Sequence, residues 1–166
     1  MKKLLLASLL CTAFYCSQAQ VAYYKGEWTM VDKHDLFTGV FRLETKNDGR
    51  VNGQLIWLYL ATDSSDNVMI DMYKGKKGRQ GIEIVEGRYT PSTHDLYFKG
   101  EDKVDPYTIL GLDEYSLKYS ADKQVIYGTT ATGGTNKGLF YAIKMNSAAG
   151  AAAFNAAKLK VKNKTR

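Results

Sequence analysis

From Tyr23 to Asn146 apolar residues recur with period two, broken at short intervals by polar or turn-forming clusters. In FTGVFRLE (37–44), Phe37, Gly39, Phe41 and Leu43 alternate with Thr38, Val40, Arg42 and Glu44. In EYSLKYS (114–120), Tyr115, Leu117 and Tyr119 alternate with Ser116, Lys118 and Ser120. Such alternation puts one face of a strand in a core and the other in water. The pattern predicts strands over 22–30, 36–45, 50–61, 67–73, 81–90, 95–101, 113–120, 123–131 and 137–145. Asp48-Gly49 marks a tight hairpin. Pro91 and Pro106 both fall between runs, where a missing N–H costs no ladder bond. Nearly every link is too short for a crossover helix, so consecutive strands should pair antiparallel.

Glycines recur inside the runs, at Gly39, Gly53, Gly87, Gly100 and Gly128. Mid-strand glycine weakens a flat sheet but suits one that coils sharply, or one whose backbone is crossed by a large side chain. Repeated over five runs, it argues for closure. The expectation is an all-β fold, an antiparallel up-and-down β-barrel of eight to ten strands with a short Ala-rich, basic C-terminal tail. Nine strands cannot close such a barrel, because the first and last would be parallel. Either one run lies outside, or PYTILGL (106–112) supplies a tenth.

Two stretches carry a resemblance. KGEWTM (25–30) places Gly26-x-Trp28 on the first strand, and GRVNGQL (49–55) follows as a glycine-spaced hairpin. Together they resemble the entry of calycin-type barrels, the lipocalins and avidins. The resemblance implies a Trp28 that plugs one barrel end and an interior that receives a small ligand. Leu55 and Trp57 stand where avidins place biotin contacts, and no Trp-Leu-x-Arg-like segment follows, so biotin binding is not implied.

The ends of the chain change the picture. MKKLLLASLLCTAFYCSQAQ has two lysines, an apolar run from Leu4 to Tyr15, and small residues at Ser17 and Ala19. That is the pattern of a secretory signal peptide over 1–19, cleaved after Ala19. The run is short for a membrane span. The domain would then be 20–146, exported to the periplasm or the cell exterior, and SQAQ (17–20) resembles leaders of Gram-negative bacteria. Cys11 and Cys16 both lie in the leader, which leaves the mature chain without disulfides, thiolate catalysis or Cys-ligated metal. The chain carries +6, of which the leader holds +2 and the tail 147–166 holds +5, so the central part is −1. The basic pI therefore describes the ends, and nucleic-acid binding is not indicated. Within the tail, helical or disordered, Lys158, Lys160, Lys162, Lys164 and Arg166 form a candidate contact to an anionic envelope surface. KGKKGRQG (74–81) is a second cationic segment, in a glycine-rich loop.

The candidate chemistry is sparse. The chain has two histidines, in HDLFTG (34–39) and HDLYFKG (94–100). Counting nine strands in order places His34 and His94 at one barrel end, with the loop 74–81 at the other. A metal site from His34, His94 and Asp95 is one alternative there; two plain strand-entry turns are the other. Ser64 or Ser65 beside a histidine has no nucleophile elbow. Isomerase or cyclase chemistry would use His34, His94 or Glu86 at a rim. The expected protein is instead non-enzymatic and without a cofactor. It would bind a small apolar or amphipathic ligand in an interior lined by Phe41, Leu55, Trp57, Tyr89, Phe98, Tyr115, Leu117 and Tyr141. The alternative is a secreted protein–protein interaction or inhibitor module with a solid core. QLIWLYLA (54–61) is apolar on both faces, so its outer face should be covered by the C-terminal segment or by a second copy in a homo-oligomer.

Overall fold

The computed structural model describes residues 19–30, 35–62, 74–132 and 136–163. Eight strands are followed by one helix: β1 (Gln20–Met30), β2 (Asp35–Thr45), β3 (Arg50–Thr62), β4 (Gln80–Thr90), β5 (Asp95–Val104), β6 (Glu114–Tyr119), β7 (Val125–Thr132), β8 (Asn136–Lys144) and α1 (Ser147–Lys162). Each strand pairs antiparallel with the next, and β8 pairs antiparallel with β1, closing the barrel. β3 pairs directly with β4, from Arg50↔Arg88 to Leu58↔Gln80. The run 67–73 lies outside the described residues, and the barrel closes without it. PYTILGL (106–112) is a link between β5 and β6, not a strand. Thr108 has φ 54°, a left-handed conformation that ends an extended run. The even strand number follows from these two facts.

The strand directions define two ends. β1 finishes, β2 starts, β3 finishes and β4 starts at the upper end; β5 starts and α1 is entered at the lower end. Residues 105–113 close part of the upper end. Ile109 is buried in the core, the Leu110 N–H donates to Asp105 Oδ2 at 2.7 Å, and Lys76 Nζ donates to the Thr108 carbonyl at 3.0 Å.

The inner faces carry the large rings, and glycines make room for them. A Cβ at Gly39 would lie 2.5 Å from Phe41 Cε1, and one at Gly26 would lie 2.7 Å from Phe41 Cε2. The Phe41 ring thus lies over backbone that only glycine leaves open. Trp28 is buried near the upper end, edge-on to Phe37 at 5.5 Å, with Nε1 donating to Thr130 Oγ1 at 2.6 Å.

α1 covers part of the barrel exterior. Asn146 caps it, its side chain accepting from the Ala148 N–H at 3.0 Å. Phe154 and Val161 are buried with Ile56 of β3 and Ile82 of β4, and Tyr23, Val40 and Ala157 pack around them. The C-terminal segment therefore covers the outer face of β3 at Ile56. Lys158 Nζ donates to Gln54 Oε1 at 2.8 Å across the same contact.

Candidate functional site

Seven of the eight residues expected to line the interior do face inward. Phe41, Leu55, Trp57, Tyr89, Phe98, Tyr115 and Leu117 are all buried. Tyr141 does not: it is 49 % exposed on the outer face, and Phe140 takes the inward position. The correction has a simple cause. Gly138, Phe140 and Ala142 share the inner face of β8, and a strand read one residue out of register turns inside out. These side chains do not frame an open chamber. Phe41 of β2 meets Trp57 of β3 at 4.6 Å and Phe140 of β8 at 5.5 Å; Phe140 meets Trp57 at 6.0 Å and Tyr115 of β6 at 5.7 Å. Rings from four walls thus touch one another across the axis. Farther down, the space between Tyr24, Tyr89 and Tyr119 measures about 40 Å³. That admits one or a few waters beside the Tyr89 hydroxyl, which has no protein partner among the described residues.

One inward side chain breaks the apolar pattern. Glu83 of β4 is 2 % exposed. Its carboxylate accepts from Tyr115 Oη at 2.5 Å, from Trp57 Nε1 at 3.2 Å and from the Asp113 N–H at 3.2 Å. Burial pushes its pKa up to about 7, and the charge of Asp113 adds to the rise; the three donors oppose it. Burial likewise raises Tyr115 well above the usual phenol range. Gly100 faces this carboxylate, and any Cβ there would collide with Glu83 Oε1. Glu83 has the same parity as Tyr89 on β4, so an inward carboxylate was readable from the alternation. Glu86, the rim residue considered for catalysis, is exposed on the outer side.

The histidine pairs are separated by the true strand count. His34 lies outside the described residues, but Asp35 begins β2 at the upper end, whereas Asp95 begins β5 at the lower end. Treating 67–73 as a barrel strand reverses the direction of every later strand, which is why the two pairs looked like rim neighbours. Among the described residues no group of three or more His, Cys, Asp or Glu side chains is placed to hold a metal ion. His94 sits in a turn at φ 60°, and its carbonyl accepts from the Tyr119 N–H at 3.0 Å. Asp95 pairs with Lys118 at 2.9 Å on the surface, and its carboxyl lies below its usual range because of the Thr93 and Lys118 hydrogen bonds.

The opposite exterior is apolar and uncovered by α1. Tyr97, Ser116, Thr129 and Leu139 stand opposite one another across β5, β6, β7 and β8. The next row is Asp95, Lys118, Tyr127 and Tyr141, and Val125 faces Ile143 in a third. Tyr97, Tyr127, Leu139, Tyr141 and Ile143 are each between 44 % and 50 % exposed. Half-exposed apolar side chains gathered on adjacent strands, rimmed by polar residues, are a common mark of an interaction site. Between Tyr97 and Tyr127 runs a groove of about 390 Å³, floored by Gly128 and edged by Ser116, Thr129 and the Asp95–Lys118 pair. A Cβ at Gly128 would collide with the Ser116 carbonyl and with Leu117 Cα, so β7 passes this point only as glycine. In comparisons with known proteins, no family model matches this chain, and no curated protein or solved structure does either.

Proposed function

We propose that this chain is an exported, non-enzymatic interaction module that binds a protein partner through the outer face of β5–β8. The observation that carries the reading is the inversion of an ordinary ligand barrel. Aromatic rings meet at the axis, while tyrosines and aliphatic side chains lie half exposed on adjacent outer strands. Tyrosine contributes large contact area with little rotamer entropy to lose and keeps a hydroxyl for polar pairing, which suits a protein interface. The Asp95–Lys118 pair gives the patch a polar rim of both signs. Export is supported by the start of β1 at Gln20, immediately after the expected cleavage at Ala19.

The test is affinity for the partner recovered by cross-linking on intact source cells. Tyr127→Ala with Tyr141→Ala should weaken that complex at least tenfold, as expected for central aromatic anchors. Leu159→Ala, an exposed residue on α1, should leave it unchanged. Equal affinity for both variants would remove β5–β8 as the binding face.

A further inference from the structure

The two cationic segments that the sequence holds some eighty positions apart converge in the fold. A groove of about 380 Å³ is lined by Gly78 and Arg79 of the β3–β4 link, by Gln80 at the start of β4, by Tyr107 of the upper cap, and by Lys160, Val161 and Asn163 at the end of α1. We propose that this groove is a binding site for a phosphate ester, with Arg79 and Lys160 as its two anion-holding side chains.

The arrangement is built rather than incidental at Arg79. Its guanidinium lies over the Tyr107 ring, 4.6 Å from the centroid, with Nη1 donating to Tyr107 Oη at 3.5 Å. The Arg79 main chain is held as well: its carbonyl accepts from the Tyr59 N–H at 3.0 Å, and Gly78 N–H donates to the Tyr59 carbonyl at 2.8 Å. A stacked guanidinium is pre-oriented, and its remaining donors form the planar fork that matches phosphate oxygens. Lys160 stands on the other wall as an exposed cation, and the half-buried Tyr107 ring gives the groove an apolar element. Lys74 and Lys77 lie exposed along the same link.

Among the described residues, no carboxylate lines the groove. The nearest acid of the cap, Asp105, has a buried side chain that accepts from the Leu110 N–H and lies near Lys103. Lys160 and Lys162 do offset the negative end of the α1 dipole. That local role explains the helix lysines but not Arg79, which sits on a different element and turns to the same groove. The excess of positive charge also reaches Lys158, whose ammonium is held below the usual lysine range by partial burial and by Lys162 and Arg42. A phosphate with an apolar or ring-shaped body fits such walls, whether it is a lipid headgroup or a free phosphorylated sugar.

The experiment uses the mature chain from Gln20 with two probes. One is phosphatidylcholine vesicles with and without phosphatidylglycerol, read by co-sedimentation. The other is glucose 6-phosphate, read by calorimetry and as a competitor of vesicle binding. Arg79→Ala with Lys160→Ala should weaken binding about 30-fold, at roughly fivefold per cation near an anionic surface. A control of equal charge loss, Lys46→Ala with Arg88→Ala at the lower end, should stay within about twofold of the wild type, with thermal unfolding confirming that both variants fold. Competition by glucose 6-phosphate identifies the free ester as sufficient; binding to anionic vesicles alone identifies the headgroup at a surface. Equal loss in both double variants, or binding to neither probe, overturns the site.

Discussion

The inner face of β4 reads Gly81, Glu83, Val85, Gly87, Tyr89, and a carboxylate stands where an apolar side chain would fill the barrel. Three donors from three other segments turn toward it, so the charge is solvated by protein instead of water. The solvation is incomplete, because burial still raises the folded pKa to about 7 from 4.5. Since the raised value belongs to the folded state, the folded chain binds more protons than the unfolded chain between those values. Stability is then fully present below pH 4.5 and is lost as pH rises through 7. Glu83→Gln removes the titration while keeping an acceptor for Tyr115. Urea unfolding between pH 5 and 8 should show the wild type losing about 2–3 kcal/mol more than the variant. Parallel pH profiles would contradict the buried, partly protonated carboxylate. At this scale the sequence is legible but easily misread. Glu83 and Tyr89 share a parity that marks both as inward, whereas Tyr141 and Phe140 are adjacent aromatics, and composition does not say which one turns in.

The elements follow the alternation closely, and where they depart from it the reason is physical. Period two finds the strands because most have one buried and one wet face; β3 and the start of β4 are apolar outside as well, where α1 covers Ile56 and Ile82. The period cannot tell a barrel strand from a link of similar composition, so 106–112 reads as a possible tenth strand. That segment is a cap whose backbone turns at Thr108. The helix is harder to read. Its alanines give helix propensity without amphipathic contrast, and its buried face rests on Gly150, Phe154 and Val161. What the sequence does show is the need for a cover, by the C-terminal segment or by a second copy, since Ile56 and Leu58 make β3 apolar on the side away from the core. Phe154 fills that role, packed on Ile56 and Ile82 and tilted against Tyr23 at 6.0 Å. Phe154→Ala should cost about 3 kcal/mol, as large-to-small changes at buried aromatics do, and should speed hydrogen exchange in α1. A loss under about 1 kcal/mol would mean that the helix is only loosely docked.

At the scale of the whole molecule the barrel has three unlike surfaces. Among the described residues, rings pack against one another inside, one exterior side is covered by α1, and the other carries half-exposed tyrosines and aliphatics. The uncovered side was not legible from the sequence, because it depends on β8 register and on where α1 lies. Both are set by long-range packing. The same packing brings Arg79 and Lys160 together, although the sequence shows only two basic segments far apart. The interaction reading rests on the contrast between a full interior and an apolar exterior. Native mass spectrometry of the protein, purified from its source without denaturation, tests that contrast most directly. The account predicts a barrel free of any small-molecule adduct, with a protein partner that is lost in Tyr127→Ala with Tyr141→Ala. A stoichiometric apolar adduct, retained in that variant and lost in Trp57→Ala, would contradict it and return the function to the barrel interior.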